Sequence, residues 1–236
     1  MQMMKLRKSV LDANLEIVKR GLALHTFGNA SGIERGATPR EGVVAIKPSG
    51  VPYETLTPED IVLTDLEGNV LDGALRPSSD LDTHLLLYRE FPDIGGIVHT
   101  HSEFATAWAQ ACKAIPVFGT THADYFHGPI PITESLTKQE VNDGYVLNTG
   151  RVIVRCFREG GLNPTAMPAV LVAGHAPFAW GATPAKAVEH ADILEFVARL
   201  AYRTVALEGP SEGIPLHVRD HHYFRKHGAK ATYGQK

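Results

Sequence analysis

Apolar residues recur along this chain in two ways, at the spacing of an amphipathic helix and in short continuous runs. Residues 1–24 show the helical spacing, because every third or fourth position carries an apolar side chain. The same spacing returns at 78–91, 102–112, 137–150 and 183–208. The pattern therefore predicts five helices, the last of them long.

The continuous apolar runs are bounded by turn residues, which is typical of buried strands. They lie at 42–50, 95–101, 114–119, 151–157 and 168–175. We expect a strand at each of them.

Two further segments complete the pattern. Residues 60–73 carry two apolar runs around Glu67–Gly68–Asn69, which predicts a β-hairpin, and the small residues of 26–32 predict a loop. Helices and strands alternate over 1–236 with no linker-like stretch, so we expect one α/β domain. The hairpin makes some strand pairs antiparallel, and the predicted sheet is therefore mixed.

Composition narrows the class of protein. The chain has 236 residues, of which 44% are hydrophobic and 21% are charged, and its formal net charge is −3. This balance gives no electrostatic footprint for nucleic acid, and no run approaches the roughly 18 apolar residues of a membrane span. Cys112 and Cys156 are too few and too far apart for a disulfide framework, so we expect a reducing cytoplasm. The unusual count is the 12 histidines.

Two of those histidines stand one residue apart in GGIVHTHS, at the end of a predicted strand. Alternate side chains of a strand point to the same face, so His99 and His101 would lie side by side. Imidazole binds zinc and other divalent ions, although a hydrogen-bonded pair without a metal would give the same pattern. The pair therefore predicts part of a metal site.

His175 and Asp80 are candidates to complete that site. His175 ends a second predicted strand, in LVAGHAPF, and Asp80 begins a predicted helix, in RPSSD. Ligands collect beyond the strand ends of open α/β sheets, although Asp80 is also a plain N-cap candidate. Three imidazoles and one carboxylate around a divalent ion would make a Lewis acid for carbonyl chemistry.

Three segments of small residues are candidates for binding an anion: FGN (27–29), KPSG (47–50) and PSS (77–79). Ser78 and Ser79 open a predicted helix, where free amides and the helix dipole favour phosphate. Each segment alone also fits an ordinary turn or cap. Beside a metal site at Asp80, they favour a phosphorylated ligand, and none matches a nucleotide-binding fingerprint.

Short motifs extend from near the start of the chain to its end: VLDANL, GNAS, IKPSGV, PSSD, THLLLY, FPDIGGIVHTHS, TTHADYFHG, GHAPFAWG, HYFRKHGAK and YGQ. In this combination the chain resembles the class II aldolase/epimerase superfamily, and within it the sugar-phosphate 4-epimerases. The resemblance implies a single-domain three-layer α/β/α sandwich around a mixed, largely antiparallel sheet.

The resemblance also implies a ligand set. A divalent ion, usually zinc, with manganese or cobalt as alternatives, would be held by Asp80, His99, His101 and His175. The residues expected to contact the sugar phosphate are Gly28, Asn29, Lys47, Ser49, Gly50, Ser78 and Ser79.

Two residues match the family's proton-transfer positions, Asp124 in THADYF and Tyr233 in ATYGQ. The family supplies the tyrosine from a neighbouring subunit of a fourfold symmetric homotetramer, so the tail, about 217–236, would enter a neighbour's site. His222 and Arg225 match tail positions that reach the same shared site, Arg225 toward phosphate. Ordinary Asp and Tyr pKa values lie about six units apart, so both groups would need tuning toward neutrality.

The reaction implied by the resemblance interconverts L-ribulose 5-phosphate and D-xylulose 5-phosphate. Carbon 4 is not adjacent to the carbonyl, so simple deprotonation cannot invert it. Retro-aldol cleavage between carbons 3 and 4, rotation of the aldehyde and re-addition would invert it, with a proton-transfer group needed on each face.

Two alternatives remain open at this point. A fuculose-phosphate type aldolase of the same superfamily would share the metal site, although such aldolases generally carry Glu where this chain has Asp80. A non-catalytic interaction module, as in the adducin head domain, would have no reason to keep the four metal-ligand candidates.

Overall fold

The structure is a computed structural model that describes residues 2–38, 41–209, 212–228 and 231–232. Tyr233, a predicted proton-transfer residue, lies outside the described residues. No helix in these ranges combines the length and the apolar character needed to cross a membrane.

The described residues form seven strands and seven α-helices. The strands are β1 (Asn29–Arg35), β2 (Gly42–Ile46), β3 (Val62–Thr64), β4 (Val70–Asp72), β5 (Gly96–His99), β6 (Ala169–Leu171) and β7 (Pro177–Gly181). The helices are α1 (Gln2–Lys19), α2 (Leu81–Glu90), α3 (Glu103–Gln110), α4 (Thr120–Ala123), α5 (Lys138–Glu159), α6 (Pro184–Glu208) and α7 (Leu216–His227).

The seven strands form one sheet in the order β4-β3-β2-β1-β5-β7-β6. Every neighbouring pair of these strands is antiparallel, including the predicted hairpin of β3 and β4. A parallel contact occurs as a single bridge between Ile132 and Leu171. The expected largely antiparallel sheet is confirmed.

Helices cover both faces of the sheet, as two successive residues of β1 show. The Ser31 hydroxyl lies 2.7 Å from His84 Nδ1 of α2. A Cβ on Gly32 would instead lie 3.0 Å from Val10 of α1 and 2.7 Å from Pro184 of α6. Since adjacent side chains of a strand point to opposite faces, α2 lies on one side and α1 and α6 lie on the other. This is the predicted three-layer arrangement.

Residues 151–157, predicted as a strand, belong to helix α5, and that prediction is wrong. Val152, Ile153 and Phe157 are buried on the helix, where Phe157 packs against Phe91 and Trp180 with ring centroids 5.3 and 5.2 Å away. A short β-branched run does not distinguish a buried helix from a strand. Here the packing of Phe157 against the aromatic rings favours the helix.

Two other predictions also differ from the structure. Residues 114–119 form no strand, only a single bridge from Ile115 to Ile130. Residues 26–32, predicted as a loop, contain the first half of β1, which pairs with β2 and β5 in the middle of the sheet. The small side chains of this segment have low strand propensity, but they leave room for α1 and α6 to pack closely.

Candidate metal centre and substrate pocket

Three histidines from two neighbouring strand ends meet at one point. His99 is the last residue of β5, His101 follows two positions later, and His175 lies in the turn between β6 and β7. The pairwise distances between the ring centroids are 5.0, 5.0 and 5.2 Å. One ring nitrogen from each histidine lies within 4.8 Å of the others.

The ring of His99 is fixed on both sides. Its Nδ1 lies 3.0 Å from the carbonyl oxygen of Pro177, which can only accept a hydrogen bond. Its plane is stacked on Phe178 at 4.1 Å between centroids. With Nδ1 protonated and bound to the carbonyl, Nε2 keeps its lone pair for a ligand, which is how metal-binding histidines are usually oriented.

The three imidazoles are neutral at physiological pH. Burial lowers the pKa of His99, His101 and His175, and the charge of Asp80 offsets only part of that effect. Neutral rings do not repel one another and can donate a lone pair to a cation.

Asp80 stands at the N-cap of α2, but its side chain makes no capping hydrogen bond. The Asn29 side-chain amide instead donates to its Oδ2 at 2.6 Å. Burial alone would raise the pKa of Asp80, but the electrostatic interaction with the surrounding histidines and the hydrogen bond from Asn29 outweigh it, so that pKa is lowered. The carboxylate lines the same pocket as the three imidazoles, although it is not within their 4.8 Å group.

These side chains fit a divalent ion. Three neutral imidazole donors and one ionised carboxylate are ligand types that zinc accepts, and catalytic zinc can expand to five ligands when a substrate oxygen binds. His99, His101 and His175 would hold the ion, with Asp80 as the oxygen donor.

A pocket of about 330 Å³ opens beside the histidines. It is lined by the candidate metal ligands and by the segments predicted to bind the sugar phosphate: Thr26, Phe27, Gly28, Asn29, Lys47, Pro48, Ser49, Gly50, Ser78, Ser79, Asp80, His99, His101 and His175. The structure thus brings together all four predicted metal ligands and seven of the nine predicted substrate contacts.

Backbone pairing explains why two of the lining segments meet. The Ser49 N–H donates to the Arg76 carbonyl at 3.0 Å, and the Ser78 N–H donates to the Lys47 carbonyl at 2.9 Å. Segments 47–50 and 77–79 are therefore held side by side at the mouth of the pocket.

The third segment approaches the metal site too closely for any residue but glycine. A Cβ on Gly28 would lie 2.8 Å from the His99 carbonyl oxygen, and Gly28 has φ +85°. The Tyr53 hydroxyl donates to the Gly28 carbonyl at 2.8 Å and fixes the loop from the other side. The glycine allows the segment to lie directly against the end of β5.

Lys47 lies at the base of the pocket. Its side chain is buried, its Nζ donates to the Val51 carbonyl at 2.7 Å, and it lies 4.7 Å from the ring centre of Tyr53. Burial lowers the pKa of Lys47. The ammonium group is therefore held in place by the protein before any ligand binds.

Asp124, His222 and Arg225 are brought together in a second group, outside the residues that line the histidine pocket. Asp124 follows α4, and its Oδ1 lies 3.1 Å from His222 Nδ1 of α7, while its Oδ2 accepts from Arg225 at 3.2 Å. Lys226 lies 3.8 Å from the same carboxylate.

The pKa of Asp124 does not lie near neutrality, where the resemblance led us to expect it. Burial raises this pKa, but hydrogen bonds from Arg225 and His222 and the charge of Lys226 outweigh the burial, and the pKa lies below its ordinary value. Asp124 is therefore a carboxylate at neutral pH, able to accept a proton and not to donate one.

Tyr145 was not predicted as a site residue, but it contacts the candidate metal ligand His175. Its hydroxyl lies 3.3 Å from His175 Nδ1, and its ring centroid lies 5.9 Å from that of the histidine. Burial and the negative charge of Asp80 raise the pKa of Tyr145. The sequence feature that could have indicated this contact is Gly144, a glycine inside a predicted helix and directly before Tyr145.

Comparison with known proteins defines the class. The family model "Class II Aldolase and Adducin N-terminal domain" matches residues 8–202. The chain belongs to this family. It is 47% identical over 234 residues to L-ribulose-5-phosphate 4-epimerase UlaF of Salmonella paratyphi B, covering 99% of this chain and 100% of that relative. UlaF of Salmonella typhi matches at the same identity and coverage.

Solved structures agree on the fold. An L-fuculose 1-phosphate aldolase has a TM-score of 0.75 at 24% identity, covering 92% of this chain and 94% of its own. YgbL from Escherichia coli has a TM-score of 0.73 at 21% identity, covering 94% and 99%. At these identities the likeness shows the shared fold.

Proposed function

We propose that this chain is a metal-dependent L-ribulose-5-phosphate 4-epimerase that interconverts L-ribulose 5-phosphate and D-xylulose 5-phosphate. The observation that carries the proposal is a single pocket in which three neutral imidazoles stand beside segments of small polar residues. A relative that shares 47% of its residues over the full chain carries this activity in its name.

The metal site supplies the electrophile in this proposal. His99, His101, His175 and Asp80 hold a divalent ion, taken to be zinc, which when bound acts as a Lewis acid toward the ketose carbonyl. Asn29 keeps the Asp80 carboxylate turned toward the pocket rather than toward the amides of α2.

The phosphate and sugar hydroxyls are bound by the lining segments. Ser49, Gly50 and Ser79 are exposed at the pocket mouth and present small side chains and backbone groups to an anion. Lys47, held at the base, contributes positive charge near the substrate oxygens. Gly28, Asn29 and Ser78 complete this wall.

Proton transfer is assigned to Asp124 and Tyr233. Ionised Asp124 takes the proton of the 4-hydroxyl, the bond between carbons 3 and 4 breaks, and its electrons move toward the carbonyl. The products are the enediolate of dihydroxyacetone and glycolaldehyde phosphate. After the aldehyde turns its other face, the bond forms again and Tyr233 gives its proton to the new alkoxide. Exchange with solvent then removes the proton from Asp124 and returns one to Tyr233.

The oligomer in this proposal is a homotetramer with shared sites. Asp124, His222 and Arg225 form one group on α4 and α7, separate from the histidine pocket of the same chain. The tail, about 217–236, enters the pocket of a neighbouring subunit with Asp124 beside it and with Arg225 toward the phosphate. The proposed location is the cytoplasm.

Product analysis separates the epimerase from the aldolase alternative. The metal-loaded protein is incubated with L-ribulose 5-phosphate, and D-xylulose 5-phosphate and free glycolaldehyde phosphate are measured separately. We expect D-xylulose 5-phosphate to form without accumulation of free glycolaldehyde phosphate. Accumulation of aldehyde without D-xylulose 5-phosphate would favour a fuculose-phosphate type aldolase, and the absence of both would refute catalysis on this substrate.

A further inference from the structure

We infer that Tyr145 is a positioning residue for the metal ligand His175, and that the break in helix α5 exists to place it. The inference rests on the proposed metal site, because Tyr145 contacts a candidate ligand rather than the substrate. It assigns a role to a side chain that none of the sequence motifs includes.

The contact is directed at the ring nitrogen that needs a partner. When His175 binds an ion through Nε2, its Nδ1 carries the proton and must donate it to an acceptor. The Tyr145 hydroxyl lies 3.3 Å from that nitrogen. His99 has the equivalent partner in the Pro177 carbonyl, at 3.0 Å. Each of these two rings therefore has a partner at Nδ1.

Helix α5 is locally broken immediately before Tyr145. Gly144 has φ 141° and ψ 85°, which is not a helical conformation and is one that L side chains rarely adopt. The first helical segment, which ends at this glycine, therefore takes a different direction from the one that begins at Tyr145.

A buried side chain bridges the break. The Asn148 amide donates to the Glu140 carbonyl at 2.7 Å, which links the second helical segment to the first across Gly144. Because a buried polar side chain joins the two segments in this way, the break is a built feature of the helix.

The same segment is tied to the helix that begins at Asp80. The Thr83 hydroxyl, in the first turn of α2, donates to the Val146 carbonyl at 2.6 Å. Val146 is the residue after Tyr145, and Asp80 is the N-cap of α2. Tyr145 is therefore held in fixed relation to both His175 and the candidate carboxylate ligand.

Loss of the hydroxyl should weaken metal binding without unfolding the protein. Removal of such a partner usually costs 10- to 100-fold in metal affinity. Tyr145 is 42% exposed, so water can partly replace its oxygen. We expect a loss near the lower limit, about tenfold.

The test compares Tyr145→Phe with wild type and with Tyr202→Phe. Tyr202 is an exposed tyrosine of α6 whose ring packs against Phe104, so its variant controls for loss of a surface hydroxyl. Dissociation constants for Zn²⁺ and Co²⁺ are measured by competition with a chelator, and the Co²⁺ absorption spectrum reports the ligand geometry. Thermal unfolding of the metal-free proteins checks the fold.

The expected result is a dissociation constant about tenfold higher for Tyr145→Phe, with an altered Co²⁺ spectrum and an unchanged metal-free unfolding temperature. Tyr202→Phe should bind metal like the wild type. Equal affinities and spectra for wild type and Tyr145→Phe would overturn the inference. Failure of the wild type to bind either ion would refute the proposed metal site instead.

Discussion

At the scale of single residues, burial sets the charge of the histidines. His84, His99 and His122 are buried, and burial lowers the pKa of each, to about 4 for His84 and His122. Only His99 of these three lines the pocket. A lowered histidine pKa therefore does not mark a ligand by itself, and the convergence of ring nitrogens does.

His122 allows a test of the pKa shift away from the metal site. Its Nε2–H donates to the Gly128 carbonyl at 2.9 Å. An unfolded chain binds the proton near pH 6.5 and the folded one near pH 4, so stability is complete above pH 6.5 and falls as the pH drops below it. At pH 5.0 the loss from this residue is about 2 kcal/mol.

Glutamine at this position keeps an amide donor and cannot titrate. Between pH 7.5 and pH 5.0, the free energy of unfolding in urea should fall about 2 kcal/mol less for His122→Gln than for wild type. Equal losses for the two proteins would show that His122 is not buried in its neutral form.

At the scale of helices and strands, the local sequence pattern predicted most elements, and tertiary packing changed the secondary structure of a few segments. The strand that ends in His99, the strand that precedes His175 and the helix that follows Asp80 were predictable, because each couples an apolar run to a polar end. Strand β1 was not, because its small residues become a strand only between β2 and β5. Residues 151–157 became helix because Phe157 fills an aromatic cluster.

The candidate site follows the same division. The motif residues of the pocket could be proposed from the sequence, since small residues and histidines stand at predicted element ends. The contact between Tyr145 and His175 could not be proposed from the sequence. It depends on the backbone break at Gly144, and the sequence pattern does not show in which direction the helix continues after that break. The ion pairs that lower the pKa of Asp124 come from α7, about a hundred residues away in the chain, and were equally hidden.

The break in α5 makes a prediction of its own. Gly144→Ala forces an L residue into a positive φ, although its Cβ would meet open space, so the cost is conformational only. We expect a loss of about 1–3 kcal/mol in the free energy of unfolding. Gly119→Ala is the matched control, because its Cβ is also unobstructed and its φ is −149°, and it should change stability by less than about 0.5 kcal/mol. Similar values for both variants would contradict a required break.

At the scale of the whole molecule, the chain carries two separate groups of candidate site residues. One is the histidine pocket, and the other is the Asp124 group on α4 and α7. In the proposed homotetramer each complete site combines the pocket of one subunit with the Asp124 group of its neighbour.

Mixed oligomers test this division. His99→Asn disables the pocket, Asp124→Asn disables the second group, and each variant alone should be inactive. In tetramers assembled by co-expression at equal amounts, about a quarter of the sites would combine an intact pocket with an intact neighbouring group. Activity near that fraction is expected. No recovery above the separate variants would show that both groups act within one chain.

The most direct measurement is an anomalous difference map collected at the zinc edge from crystals of the metal-loaded protein. It should show one peak per subunit in the pocket, roughly 2.0–2.2 Å from a ring nitrogen of each of the three histidines and from a carboxylate oxygen of Asp80. An empty pocket, or a peak from which Asp80 or His175 is turned away, would contradict the proposed metal centre and the carbonyl chemistry that depends on it.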